Sequence, residues 1–94
     1  MSICRTTVVE YNSEKDADEA QAEYTKDGPS LFSEAEIMLA SRTGPTTIVV
    51  NSIYPDQETA EKTMAQRKAL MEKMKTQIKS FETYQGEVTL SVVR

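Results

Sequence analysis

The sequence predicts an α+β fold in which two helices cover one face of a four-stranded antiparallel sheet. Four segments have strand-like patterns, and two others carry apolar residues at helical spacing. They follow one another in the order βαββαβ, and only a short turn separates the second strand from the third. This order is the ferredoxin-like plan, in which each half of the chain is a strand, a helix and a strand. We assign residues 1–94 to a single domain of this kind.

The first half of the chain is predicted to run from a strand into a capped helix. The segment "CRTTVVEY", residues 4–11, is rich in β-branched residues, which favour strands. Ser13 and Asp16 have the three-residue separation of a capping box, so a helix is expected to begin there. The turn-forming "DGP" at residues 27–29 is expected to end that helix.

The second and third strands are predicted to form a hairpin. "EIMLASR" occupies residues 36–42 and "TTIVVNSIY" occupies residues 46–54, with the turn "TGP" between them. A connection this short joins antiparallel neighbours, because a parallel pair needs a crossover of a dozen or more residues.

A long helix and a final strand complete the predicted fold. Asp56 is placed as the N-cap of a helix over residues 57–83, and Gly86 as the glycine at its C-terminus. The helix has an apolar seam that Arg67 interrupts. The positions of this seam are Ala60, Met64, Met71, Met74, Ile78 and Phe81. The segment "EVTLSVV", residues 87–93, is predicted as the last strand because its apolar residues alternate.

Both faces of the predicted sheet carry apolar side chains. In the third strand, Ile48 and Val50 alternate with Val49 and Ile53, and the first two strands show the same two-sided pattern. Two helices cover only one face, and an exposed apolar patch of this size is a liability for a soluble monomer. We therefore expect a homodimer in which two sheets pack face to face, which also enlarges the thin core of so small a domain.

The composition removes several classes of function. The chain has no histidine, which excludes acid–base catalysis by histidine, histidine-rich zinc sites and haem held by an axial histidine. We predict neither a cofactor nor a metal. The net charge of -4 disfavours a nucleic-acid partner and an anionic membrane surface. No apolar stretch approaches the roughly 20 residues of a membrane span. Because Cys4 is the single cysteine and no signal-peptide pattern occurs, a cytoplasmic location is expected.

Three residues stand out as candidates for a binding or catalytic site. Asn51, a polar residue in an apolar strand, either holds a substrate oxygen or is satisfied by a neighbouring group. Tyr54 is either a hydrogen-bond donor to a ligand or a packing residue with a wet hydroxyl. Arg67 either binds a carboxylate or enolate between helix and sheet, or packs its stem while its head reaches water. Arg42 and Glu36, with Arg5 as a possible neighbour, either line the dimer seam or the mouth of a cavity, or form a surface ion pair, which is the interpretation that we favour.

The segment "TTIVVNSIYPDQETAEK", residues 46–62, carries a resemblance to a known family. Together with the element order and the two-sided strands, it is similar to the dimeric α/β-barrel superfamily, and in particular to antibiotic-biosynthesis-monooxygenase-like proteins. In that family the third strand often ends in an aromatic residue, followed by an acidic or small turn and a helix that carries a histidine. Tyr54 stands at the aromatic position, Asp56 at the turn and Ala60 at the small helical position.

The chain departs from the family within that helix. Near the family's histidine this sequence has Thr63 and Met64, so haem degradation is excluded. The resemblance then implies a cofactor-independent oxygenase in which Asn51, Tyr54 and Arg67 orient a small aromatic or carbonyl compound. The alternative is a dimer that binds a small apolar ligand, or serves as an assembly unit, without chemistry. A pocket with converging polar groups is expected for an enzyme or a binder, and a filled core for neither.

Overall fold

The computed structural model describes all 94 residues and contains four strands and three helical segments. Along the chain these are β1 (Ile3–Tyr11), α1 (Glu14–Leu31), β2 (Ile37–Arg42), β3 (Thr47–Tyr54), α2 (Gln57–Lys62), α3 (Met64–Lys73) and β4 (Ile78–Glu87). Because α2 and α3 follow one another directly, the order is the predicted βαββαβ. None of the helices combines the length and the apolar character needed to cross a membrane.

The four strands form one antiparallel sheet in the order β2-β3-β1-β4. β1 is central because it pairs with β3 on one side and with β4 on the other. In this register Thr6 lies opposite Asn51 of β3 and Tyr84 of β4. The predicted ferredoxin-like fold class is confirmed.

Helix α1 begins where it is predicted to begin, but it ends later. The Ser13 hydroxyl accepts a hydrogen bond from the Asp16 backbone N–H at 3.1 Å, as an N-cap does. The prediction that residues 27–29 end the helix is wrong, because burial of Phe32 holds the last turn in place. Phe32 is 5% exposed, and its N–H donates to the Gly28 carbonyl at 2.9 Å. The proline of this turn removes only one hydrogen bond near the helix end, which the burial of an aromatic ring offsets.

The long helix predicted over residues 57–83 is wrong in its second half. Helix α3 ends at Lys73, and residues 78–87 form β4, which pairs along the length of β1. The apolar residues of this segment, such as Phe81, have helical spacing, so the local pattern favours a helix. The segment is a strand because it pairs with β1. Gly86 accordingly lies within β4 and not at a helix C-terminus.

The last strand predicted over residues 87–93 is also wrong. The edge of β1 is already paired with β4, so the segment that we call the tail, residues 88–94, finds no strand partner in its own chain. It has no regular structure, and the Val88 N–H donates to the Ser2 carbonyl at 2.9 Å. Leu90 and Val92 are 81% and 62% exposed.

The sheet has an inner face, which the helices cover, and an outer face, which is bare in one chain. Alternation along β1 marks the division, since Ile3, Arg5, Thr7, Val9 and Tyr11 are buried while the residues between them are partly exposed. We define the outer face as Cys4, Thr6, Val8, Ile37, Leu39, Val49, Asn51, Ile53 and Tyr84. The main core on the inner face consists of Val9, Tyr11, Ala17, Ala20, Ile48 and Met74. The predicted two-sided pattern of β3 is therefore present in the register.

Candidate ligand-binding site

A cavity lies between the inner face of the sheet and helices α1 and α3. Its volume is about 70 Å³ and it is partly open to solvent. Nine of its thirteen lining side chains are hydrophobic, and the remaining four are Arg5, Thr7, Ser52 and Arg67. The hydrophobic lining includes three tyrosines, Tyr11, Tyr24 and Tyr54. A cavity with converging polar groups is the arrangement that distinguishes a binding site from a filled core.

Arg5 of β1 is a charged side chain in the interior, only 3% exposed. Its Nη1 donates to the Tyr54 hydroxyl at 3.4 Å and to the Thr63 hydroxyl at 3.2 Å. Its Nη2 donates to the Ala60 carbonyl, and its Nε donates to the Gln85 side-chain oxygen at 3.3 Å. The guanidinium carbon also lies 5.1 Å from the centroid of the Tyr54 ring. All of these partners are neutral, so the hydrogen bonds of Arg5 are satisfied while its charge is not neutralised.

Thr63 links Arg5 to the junction between α2 and α3. Its side chain is 1% exposed, and its hydroxyl donates to the Ala60 carbonyl at 2.8 Å while accepting from Arg5. The backbone carbonyl of Thr63 accepts from the Arg67 N–H at 3.1 Å, which starts the next helical segment. The break between the two helices therefore directs the Thr63 hydroxyl and the Ala60 carbonyl at the buried guanidinium of Arg5.

Arg67 of α3 brings a second guanidinium to the same cavity. Its Nη2 donates to the Thr83 hydroxyl on β4, and its guanidinium carbon lies 5.5 Å from the Phe81 ring centroid. Burial lowers the pKa of Arg67, and the positive charge of Arg5 lowers this pKa further, while Tyr54 acts in the opposite direction. Arginine nevertheless stays protonated at neutral pH, so the cavity holds two positive charges that repel each other.

The cavity contains no proton acceptor of ordinary basicity. None of its lining residues is acidic, and the chain has no histidine. Burial raises the pKa of the Tyr11 phenol. Burial also raises the pKa of the Tyr24 phenol, with a hydrogen bond to Ser52 opposing this effect. Both phenols are therefore protonated at neutral pH and act as hydrogen-bond donors, not as bases.

The structure brings Tyr54 and Arg67 together at the cavity, but it separates Asn51 from them. Asn51 lies on the outer face, where its side-chain oxygen accepts from the Thr6 hydroxyl at 2.6 Å and from the Cys4 thiol at 3.7 Å. The expectation that Asn51 shares a pocket between sheet and helices with Tyr54 and Arg67 is wrong. Residues 51 and 54 are an odd number of positions apart on one strand, so their side chains point to opposite faces.

Arg5 is the cavity residue that the sequence analysis misplaces. It is expected with Arg42 at the surface, but only Arg42 is found there, in an ion pair with Asp18 at 2.9 Å. The alternation of β1 carried the missing signal, since Arg5 shares a face with Val9 and Tyr11. A charged residue in an apolar row is usually assigned to the edge of a sheet. Arg5 is instead inside the sheet, because β1 has a neighbouring strand on each side.

The fold and the bare sheet face define a ferredoxin-like α+β protein, and solved structures with the same fold are known. No protein-family model matches this chain, and no curated protein sequence does. A dimeric ferredoxin-like protein from an uncultured marine organism superposes with a TM-score of 0.78 at 16% identity, over 99% of this chain and 92% of that one.

Two further structures with the same fold have names that describe an enzyme activity. A candidate antibiotic biosynthesis monooxygenase from Chloroflexus aurantiacus has a TM-score of 0.76 at 8% identity, covering 99% of this chain and 98% of that one. SnoaB, a cofactor-independent oxygenase from Streptomyces nogalater, has a TM-score of 0.67 at 10% identity, with 99% and 98% of the two chains covered. At such identities the likeness establishes the fold alone. It confirms the fold that the resemblance of residues 46–62 implies.

Proposed function

We propose that this protein binds a small organic molecule in the cavity between its sheet and helix α3. The observation that carries the proposal is Arg5, a charge that is 3% exposed, borders the cavity and has only neutral partners. Burying a charge without an opposite charge costs free energy, and groups held at such a cost in a cleft are concentrated at functional sites. Tyr54 and Arg67 supply further polar contacts, and the apolar lining supplies the rest of the surface.

Binding without chemistry is the function that these side chains support best. A general base must be deprotonated and within hydrogen-bond reach of the proton that it removes. The phenols of Tyr11 and Tyr24 have raised pKa values, and the two arginines are cations. The cavity therefore holds and orients a ligand, and any proton that leaves the ligand has to go to water.

The outer face is covered by a second copy of the chain in this proposal. Leu39 and Tyr84 are 62% and 58% exposed on it in one chain, and burying these residues stabilises a dimer. The hydrogen bond from Thr6 to Asn51 satisfies the central polar pair of the face before the second copy docks. One protein of the same fold is described as dimeric. The exposed apolar residues of the tail contribute to the same interface.

A second candidate function is cofactor-independent oxidation. The likeness to an enzyme of that description favours it, and so do two guanidiniums that would stabilise a substrate carbanion or enolate. Molecular oxygen is the oxidant in such a reaction. A substrate methylene becomes a carbonyl, one oxygen atom enters the product, and the other leaves as water with the two hydrogen atoms. Because the cavity lacks a base, the substrate has to enter already ionised.

A binding experiment with small aromatic probes tests the proposed site. The isotope-labelled protein is titrated with single-ring compounds, and the backbone amide signals are followed by nuclear magnetic resonance. The proposal predicts shifts at the cavity residues Ser52 and Leu70 that saturate with probe concentration. Val50→Phe fills the cavity and should abolish the shifts, while Ala22→Phe, a phenylalanine at an exposed position of α1, should leave them unchanged.

The same titration distinguishes the two functions. Probes that bind are incubated with dissolved oxygen, and oxygen uptake is measured with an electrode. Binding without uptake supports a ligand-binding protein, and uptake that Val50→Phe abolishes supports the oxygenase. Shifts confined to the outer face, or none for any probe, contradict a ligand site in the cavity.

A further inference from the structure

Two cations border one cavity in a chain that is otherwise rich in carboxylates. The sequence has 15 acidic residues against 11 basic ones, so acidic partners are abundant. The chain forms five ion pairs, and neither Arg5 nor Arg67 takes part in any of them. The other arginine with a structured partner, Arg42, is paired with Asp18. The absence of a carboxylate beside Arg5 and Arg67 is therefore specific to the cavity and does not reflect a shortage of acidic residues in the chain.

The geometry points to a ligand that supplies this charge: a small organic anion, a carboxylate on an apolar body, with its oxygens at Arg67 and Tyr54 in the field of Arg5. This inference rests on the proposed function and names the class of ligand that the cavity takes. An anion neutralises two guanidiniums that no protein group neutralises, and it does so in a partly buried site, where charge interactions are stronger than in bulk water.

The two arginines have different roles in this arrangement. Arg5 already uses four of its five N–H donors on neutral protein atoms, so it contributes mainly positive potential. Arg67 uses one side-chain donor, on Thr83, which leaves most of its planar fork free for two carboxylate oxygens. Arg67 is also the more exposed of the two, and it can adjust to a ligand that enters from solvent.

Tyr54 completes the polar end of the site. Its hydroxyl accepts a hydrogen bond from Arg5 and donates to no protein atom. Because Tyr54 is 0% exposed, a ligand oxygen reaches this proton only at the buried end of the cavity. Accepting from a cation polarises the hydroxyl and makes it a better donor. A negatively charged ligand atom gains most from such a donor, because hydrogen bonds to ionised groups are the strong ones.

The remaining lining restricts the body of the ligand. Val9, Val50, Leu70, Met71 and Met74 are apolar, and the two methionines on or next to α3 adapt to irregular shapes. The cavity volume of about 70 Å³ is several times what one water needs. It is well below the roughly 300–1,000 Å³ of sites for drug-sized ligands. A short branched chain therefore suits the cavity, a single ring fits by extending into its open side, and a polycyclic compound is too large.

Isothermal titration of the full-length protein with sodium benzoate tests the inference, with benzamide as the neutral probe of the same shape. Benzoate should bind at least about tenfold more tightly than benzamide, because the carboxylate gains a hydrogen-bonded cation. Arg67→Met should weaken benzoate roughly ten- to a hundredfold and leave benzamide nearly unchanged. Arg67→Lys keeps the charge without the fork and should fall between the two. Arg42→Met removes a cation outside the cavity and is the matched control, with affinity unchanged.

The outcomes separate the two proposals. Equal affinity for benzoate and benzamide in the wild-type protein, with both lost in Val50→Phe, leaves a ligand site and overturns the anion assignment. Weakening of benzoate by Arg42→Met to the same extent as by Arg67→Met also overturns it, because the effect is then one of net charge. If neither probe binds, both the site and its ligand class are contradicted. Selective loss of benzoate in Arg67→Met supports the inference.

Discussion

Replacing Arg5 by methionine should change the stability of the protein only slightly. The change removes a buried charge and keeps an unbranched apolar stem of similar length in the inner row of β1. A structural arginine would instead give a clear loss of stability, because the loss of its hydrogen bonds would then outweigh the relief of removing a buried charge. The substitution therefore separates a residue kept for ligand binding from one kept for folding.

The magnitude follows from the partners of Arg5. Four hydrogen bonds from a charged donor are lost, and three of them are long, at 3.2–3.4 Å, so each contributes about 1.5 kcal/mol, the lower end for a charged hydrogen bond. The Ala60 carbonyl still accepts from Thr63, and the Gln85 side chain is exposed to water. The Tyr54 hydroxyl is buried and loses its one hydrogen-bond partner, at a cost of about 1–3 kcal/mol. Against this loss stands the relief of burying an unneutralised ion, which is several kcal/mol. These contributions nearly cancel, and we expect the free energy of unfolding to change by no more than about 2 kcal/mol in either direction.

Urea denaturation followed by circular dichroism measures this difference. Several protein concentrations are needed, because dimerisation couples the apparent stability to concentration. Arg42→Met is the control, and breaking its surface ion pair with Asp18 should cost no more than about 1 kcal/mol. A loss of about 3 kcal/mol or more in Arg5→Met, at an unchanged m-value, would show instead that Arg5 holds the fold together.

Three further predictions concern the interface and the helix caps. Leu39→Glu places a charge on the outer face and should shift the chain to monomer in light scattering, whereas the same change at the exposed helix residue Ala22 should not. Deleting the tail, residues 88–94, should raise the dimer dissociation constant without lowering the strand content, since the tail is outside the sheet; an unchanged constant contradicts its place in the interface. Hydrogen bonds from Thr59 lower the pKa of Asp56, so the N-cap contributes stability above the unfolded pKa of about 4 and loses it as the pH falls through the lower folded value. Asp56→Asn keeps the acceptor without the titration, so its stability should fall less between pH 5 and acid than that of the wild type, and parallel curves contradict this.

The order of elements could be predicted because the local signals in the first two thirds of the chain agree with one another. Ser13 and Asp56 cap helices as their neighbours require, and the short turn before Thr47 leaves only a hairpin. The two-sided pattern of β3 could be predicted for the same reason, since alternation on a strand is fixed by the backbone.

The C-terminal third could not be predicted from local pattern. Ile78, Phe81 and Tyr84 are each three residues apart, which continues the helical seam and is not the alternation of a strand. Pairing with β1, which lies some 70 residues away along the chain, decides in favour of the strand. Once β4 is set at residues 78–87, the alternating apolar tail is left without a partner in its own chain.

The candidate site was only half accessible to sequence reasoning. Arg67 could be singled out because it interrupts an apolar seam, and Tyr54 because it ends a strand before a capped helix. Arg5 is predictable only if β1 is known to be the central strand, which makes its odd-numbered row the core row. The neutral partners of Arg5 are brought together by the tertiary fold from β3, β4 and the junction of α2 and α3.

The mass of the protein in solution tests most directly whether a second copy of the chain covers the outer face of the sheet. Sedimentation equilibrium at micromolar concentration should give twice the 10.5 kDa of one chain, and Leu39→Glu should reduce it toward one chain. A wild-type mass of 10.5 kDa throughout that range contradicts the account, because the apolar outer face would then be stable in water by itself.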